Sequence, residues 1–266
     1  MMKRHNLPFG IVTLLAIGTS AVPLTADPNA PSSPQQSNNL EQEEVADALA
    51  EELFRASTPE SEEQGEWQFS TTVDFTDSDE QWVAQLLLEA EVGLTDRFQI
   101  GVEVPLTWFE SKYDEEDEYG LGDVEIEFLY NFVRSDRWVV SAAFGLGLPT
   151  GDEDRELGEG VVEYEPMLVA AYYLDATAFY LNLGGEISED DSSFDYALAI
   201  AHAWDDLVGV VEYTGSTWGE EEPHVLTPGV LWHGFDDMEI GVGVPIGLSD
   251  DAADWGVIFR LTFEFN

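Results

Sequence analysis

From Trp255 to Asn266, apolar and polar residues take turns. Trp255, Val257, Phe259, Leu261, Phe263 and Phe265 fall on one face, and Gly256, Arg260, Thr262, Glu264 and Asn266 on the other, with Ile258 the one apolar exception. Successive side chains of a strand point to opposite faces, so this period of two specifies β-structure. The same pattern sets Met238, Ile240, Val242, Val244, Ile246 and Leu248 against Glu239, Gly241, Gly243, Pro245 and Gly247. It recurs in Phe98, Ile100, Val102, Val104, Leu106 and Trp108, and in Val124, Ile126, Phe128, Tyr130 and Phe132. Globular strands typically run about five or six residues. These runs are longer and match the ~9–11 residues that a tilted strand needs to cross a bilayer. About twelve such segments begin near Trp67, Gln81, Arg97, Asp123, Arg137, Val161, Thr177, Phe194, Leu207, His224, Met238 and Ala253. The expected fold is all-β: a transmembrane antiparallel up-and-down β-barrel of about 12 strands over residues 66–266.

The connections sharpen this reading. Thr95-Asp96, Ser135-Asp136, Asp175-Ala176, Asp205-Asp206 and 234–237 are tight turns containing Asp. Between them lie longer acidic stretches at 110–122, 150–160 and 188–193. Short turns at one end and long loops at the other mark outer-membrane barrels, and an even strand count puts both chain ends on the periplasmic side. Trp67, Trp82, Trp108, Trp138, Trp204, Trp232 and Trp255 stand at or near strand ends, where amphipathic rings would form two membrane-interface girdles; Trp218 is read as lying in a loop. A soluble barrel would reverse the two faces, with an apolar interior and a polar exterior. Strand length and loop asymmetry favour the membrane.

The N-terminal quarter of the chain is different. Lys3, Arg4 and His5 precede an apolar stretch at 7–21, too short to span a membrane, and Ala21 and Ala26 are small residues suited to cleavage. Residues 1–26 are therefore expected to be a signal peptide, and the destination the bacterial outer membrane with the N-terminal tail in the periplasm. Residues 27–65 are expected to be a disordered linker carrying a short amphipathic acidic helix at 40–56. In that helix Val45, Leu49 and Leu53 recur at four-residue spacing among glutamates. A periplasmic spacer is the plain role for it; a plug or an oligomerising helix is the alternative.

Charge excludes several classes. Against 55 Asp and Glu stand nine Lys and Arg, a formal net charge of -46, so nucleic acid is repelled. The chain has no cysteine, which removes disulfides, thiolate metal sites and cysteine nucleophiles. The expected partners are outer-membrane lipid and lipopolysaccharide, the barrel-assembly machinery and an unknown small-molecule substrate.

Three segments carry a family likeness. They are Gly93-Leu94-Thr95-Asp96-Arg97-Phe98 followed by Gly101 and Pro105; Gly120-Leu121-Gly122-Asp123-Val124 leading to Tyr130; and Gly145-Leu146-Gly147-Leu148-Pro149-Thr150-Gly151-Asp152. The first uses general turn chemistry, and the other two are more distinctive. Together they resemble the outer-membrane proteins of the meta-pathway-of-phenol-degradation-like family, over roughly residues 81–266. The resemblance implies a barrel and a role in uptake of small, often hydrophobic or aromatic, compounds. It brings no set of functional residues. Outer-membrane proteins commonly finish on an aromatic residue; here the chain finishes Phe263-Glu264-Phe265-Asn266, the alternation displaced by one.

No catalytic constellation emerges. His5, His202, His224 and His233 lie on separate segments, without the spacing of a zinc helix, and none has a serine two residues away as a barrel-embedded lipid hydrolase would need. No enzyme activity, cofactor or metal site is expected. The acidic runs at 114–118 and at Asp250, Asp251 and Asp254 lack the frame of a calcium hand and read as solvated loops. The inward face carries more information. Glu89, Glu91, Glu103, Glu125, Glu127, Glu163, Glu165, Glu186, Glu212, Glu239 and Glu264 should line the lumen with Arg260 as their basic partner, and Gly101, Gly145, Gly147, Gly241 and Gly243 should ease curvature. Twelve strands imply a narrow lumen. The function expected is passive uptake or binding of small molecules or cations, with a structural or surface-interaction barrel as the alternative.

Overall fold

The computed structural model describes residues 49, 52–113, 117–189, 191–219, 221–235 and 237–265. The expected signal peptide and linker at 27–39 lie outside these residues, as does all of the 40–56 helix except Leu49, which is helical, and 52–56, which form an irregular bend.

The strands are β1 (Trp67–Asp77), β2 (Gln81–Thr95), β3 (Phe98–Ser111), β4 (Asp117–Leu121), β5 (Val124–Arg134), β6 (Trp138–Leu148), β7 (Glu163–Leu174), β8 (Thr177–Gly184), β9 (Ser193–Trp204), β10 (Leu207–Trp218), β11 (His224–Phe235), β12 (Met238–Gly243), β13 (Ile246–Gly247) and β14 (Trp255–Phe265). β4 and β5 pair successive stretches of β3, and β12 and β13 both bridge β11 and β14. Each pair is one interrupted staff, so the wall has twelve antiparallel staves, each joined to its neighbour in sequence. The barrel closes where β1 meets β14, in unbroken register from Trp67↔Phe265 to Asp77↔Trp255. Closure matters because an unpaired edge in hydrocarbon would strand backbone donors and acceptors.

Three details differ from the sequence reading. The stretch 110–122 is not all loop: β3 runs to Ser111 and β4 extends the next stave. The strand over 238–248 is interrupted at Val244-Pro245, because proline has no N–H to give a ladder, although Val244, Ile246 and Leu248 keep the outward face. Trp218 ends β10 rather than lying in a loop. At the tight turns, Asp175 and Asp205 adopt φ of 51° and 50°, the left-handed conformation that a short Asp side chain tolerates.

The apolar face points outward. Phe69, Val73, Leu88, Leu106, Leu198, Val230 and Phe263 are exposed, while Gln68, Ser70, Thr72, Gln99, Asn131, Thr214 and Thr262 on the opposite face are buried. A polar inside and an apolar outside is the polarity of a membrane barrel, the reverse of a soluble one. Trp67, Trp138, Trp204 and Trp232 are exposed near the short-turn end, and Trp82, Trp108 and Trp255 near the long-loop end. Ring pairs such as Trp138 with Tyr172, centroids 4.7 Å apart, extend these rows.

Candidate functional site

The interior is occupied by the chain itself. Residues 52–66, where the end of the 40–56 helix and acidic turns are expected, run inside the barrel without helical structure. Leu49, Glu52, Leu53, Phe54 and Ala56 to Glu62 are buried there. The segment touches the wall near the short-turn end at Glu52, whose carboxylate accepts from Gln68 at 2.9 Å and Thr262 at 2.9 Å. It rises to Arg55, which reaches Asp74 farther up β1, and descends to Gly65, whose N–H donates to the Gly93 carbonyl at 2.8 Å. It is a plug that bends at mid-barrel.

An irregular buried segment must have its backbone groups satisfied by its surroundings. The inward polar residues of the wall do this. Glu212 accepts the N–H groups of Phe54 at 2.5 Å, Arg55 at 2.7 Å and Ala56 at 2.8 Å. Asn182 accepts from the Ser57 N–H at 2.7 Å and donates to its carbonyl at 2.9 Å. Asn131 and Ser141 donate to the Pro59 carbonyl, and Gln99 accepts the Glu62 N–H at 2.7 Å. Arg260 donates to the Leu53 carbonyl and pairs with Glu52, while its Nε donates to Thr72 at 3.0 Å. Arg260 thus serves the plug first, where wall carboxylates alone are expected as its partners.

Apolar packing completes the seat. β9 points Ala197, Ala199, Ala201 and Ala203 inward, and with Val208, Val210 and Leu231 they enclose Leu49, Leu53, Phe54 and Ala56. Small inward residues leave the space that the plug fills. A Cβ on Gly229 would stand 2.2 Å from the Phe54 ring, and one on Gly241 or Gly243 3.0 Å from it. These glycines make room for one aromatic ring, beyond the easing of curvature expected of Gly241 and Gly243.

Beyond the plug, toward the long loops, lies an open vestibule. Among the described residues lining it, Asp74, Glu103, Asp123, Glu125, Glu159, Glu163, Glu165, Glu186 and Asp195 bring nine carboxylates, against the two guanidiniums of Arg55 and Arg260. Both guanidiniums are engaged, Arg55 by Asp74 at 2.7 Å. The vestibule is therefore rich in carboxyl groups and poor in cationic partners. In the loop between β8 and β9, burial raises the Glu186 carboxyl to about 7; Glu165, Glu159 and Asp195 push the same way and a hydrogen bond with Glu163 opposes them.

Two of the motifs singled out in the sequence meet at the rim. Asp123 accepts the N–H of Gly151 at 2.7 Å and of Glu159 at 2.7 Å. The Thr150 hydroxyl donates to the Gly122 carbonyl at 3.1 Å and accepts the Val124 N–H at 2.9 Å. A Cβ on Gly151 would lie 2.4 Å from the Leu157 carbonyl oxygen, and one on Gly158 2.5 Å from the Asp123 carboxylate. The motifs thus fold the 149–160 loop over the vestibule wall and bury Leu157.

The glutamates named from sequence fall into three groups, with Glu212 apart. Glu103, Glu125, Glu163, Glu165 and Glu186 reach the vestibule with Arg260. Glu89, Glu91 and Glu127 are buried together in the wall. Glu239 is buried and Glu264 half-buried near the short-turn end, Glu239 3.3 Å from His233. Glu212 binds the plug. Sequence reasoning missed Arg55, Asn182, Asn131 and Gln99, whose task is visible only once the plug is in place. One signal was present: Phe54-Arg55 is the only aromatic–basic pair in the acidic 40–65 stretch. His202 and His224 engage neighbours rather than a catalytic partner set, His202 with Thr177 at 2.8 Å and His224 with Tyr196 and Tyr213 at 3.1 and 3.3 Å.

Residues 62–265 match the family described as "Putative MetA-pathway of phenol degradation". The chain belongs to this family. No curated protein matches it in sequence. Among solved structures it is similar to an outer membrane channel from Pseudomonas putida F1, with TM-score 0.67 and 14% identity over 78% of this chain and 98% of that one. It is also similar to the KdgM porin, with TM-score 0.53 and 11% identity over 75% and 98% of the two chains. The NanC porin gives TM-score 0.54 and 9% identity over 74% and 99%. At these identities the family member shares the outer-membrane barrel fold with the three proteins.

Proposed function

We propose that the chain is a passive outer-membrane channel, not an enzyme, which admits small cations and neutral solutes in preference to anions. The observation that carries this is the vestibule's nine carboxylates against two engaged guanidiniums. Carboxylates around a confined aqueous space create a negative potential that concentrates cations and excludes anions. The likeness to an outer membrane channel and to the KdgM and NanC porins supports a transport role. The family's description suggests aromatic compounds, and Phe54, Leu87, Pro105, Met167 and Trp218 give the vestibule apolar surface beside its carboxyl groups. The plug sets how far the lumen is open. The two tryptophan rows are read as contacts with outer-membrane lipid and lipopolysaccharide, the short-turn end as periplasmic.

Planar-bilayer recording in a salt gradient tests this. A reversal potential on the cation side is expected; an anion-side potential overturns the selectivity. A second reading, a structural barrel without transport, is favoured by the plug's hold on the lumen. Liposomes that swell in no tested solute, with or without residues 27–65, would select it.

A further inference from the structure

Three adjacent staves place two inward glutamates on either side of an inward glycine. In the register of the sheet, Glu91 of β2 pairs with Gly101 of β3, which pairs with Glu127 of β5. Gly101 has no side chain to separate its neighbours: a Cβ there would stand 3.2 Å from the Glu91 Cγ and 3.5 Å from the Glu127 Cβ. Glu89, two residues from Glu91 on the same face of β2, joins them. One carboxylate oxygen from each of the three lies within 4.8 Å of the other two.

Three carboxylates so close need neutralising. Glu127 is fully buried and neither of its oxygens has a hydrogen-bond partner; one oxygen of Glu89 is likewise without one. The other Glu89 oxygen accepts from Ser70 at 3.0 Å, and Glu91 accepts from the Gln99 amide at 2.5 Å. Of the interior guanidiniums, Arg260 is engaged by Glu52, Leu53 and Thr72, and Arg55 by Asp74. Oxygen ligands at about 2.4 Å from one ion are no more than about 4.8 Å apart, a bound that these three oxygens meet. An all-carboxylate set suits a hard divalent cation rather than a thiophilic or imidazole-seeking metal.

We propose that Glu89, Glu91 and Glu127 bind a divalent cation of the calcium class, a site separate from the vestibule and independent of its selectivity. Gln99, which donates to Glu91 and accepts from the plug at Glu62, links the ion to the plug. The cation holds the wall glutamates in place and, through Gln99, steadies the plug's descending limb.

Equilibrium dialysis of the refolded full chain with radioactive Ca²⁺, after chelator washing, tests the site. The parent protein should show one saturable site tighter than the weak binding of its acidic loops. Glu127→Gln should weaken that site about tenfold or more, while Glu153→Gln in the exposed loop leaves it unchanged. A parent protein with no site tighter than that of Glu127→Gln overturns the proposal, since the carboxylates are then neutralised by protons and the binding belongs to the loops. Should Glu127→Gln not fold, the parent's thermal midpoint decides. A rise in Ca²⁺ over chelator at matched ionic strength supports the site, and equal midpoints overturn it.

Discussion

Arg55 and Asp74 form an ion pair at 2.7 Å at the top of the plug's bend, joining its apex to β1. The pair is part-exposed to the vestibule, so it contributes about 1 kcal/mol or less. Glu212 sits in a different position. It is fully buried and accepts three consecutive backbone N–H groups. Removing it leaves buried donors unpaired, at about 1–3 kcal/mol for each group. Asp74→Asn should therefore leave conductance near the parent value, while Glu212→Ala should release the plug and raise it. Single-channel recording of the two variants checks the order.

Phe54→Ala should free the plug without dissolving the barrel. A buried Phe→Ala change costs about 3–5 kcal/mol, and here the loss falls on the plug's seat against Gly229, Gly241 and Gly243. The wall is held by its own ladder. Hydrogen exchange should accelerate at residues 52–60 while the amides of β1 and β14 stay protected. Gly229→Leu should act in the same direction, because its side chain would take the ring's place.

Asp123→Ala should loosen the 149–160 loop. Asp123 satisfies the N–H groups of Gly151 and Glu159, and no neighbouring bond replaces both. Arg155, held at the surface by Glu118 at 2.5 Å, then becomes a faster site of tryptic cleavage. An unchanged cleavage rate at Arg155 would show that Thr150 and Leu157 hold the loop alone.

Cation preference should weaken as pH falls through about 7. Glu186 is raised to about 7, so it loses its charge in that range while exposed carboxylates remain ionised. The sign for stability is opposite to that of a salt-bridged acid. Folding penalises the ionised Glu186, so the folded chain binds more protons than the unfolded one between about 4.5 and 7, and Glu186's contribution to stability increases as pH falls across that window. Glu186→Gln should flatten this part of the reversal-potential profile.

The sequence alone determined the wall. A period of two cannot be satisfied by a helix, and runs of ten residues with apolar residues on one face leave little choice but strands crossing hydrocarbon. The beginnings of the twelve staves, the Asp turns and the tryptophan rows follow from that local pattern. The outward direction of Phe69, Leu106 and Phe263 could be argued from strand length and loop asymmetry, but the closed β1–β14 register displayed it.

Only the tertiary structure decided what fills the lumen. The plug residues 52–66 have no regular period, because their backbone is satisfied by side chains distant in sequence: Glu212, Asn182, Asn131 and Gln99. Contacts between Phe54 and Gly229, or between Arg260 and Glu52, span more than 170 residues and leave no local signature. The same holds for the glutamates. Alternation placed all of them inward, yet the curvature and register of the barrel divided them between an open vestibule, the plug's seat and the buried cluster around Gly101. Which face a residue takes is local information; which residues it meets across a closed barrel is not.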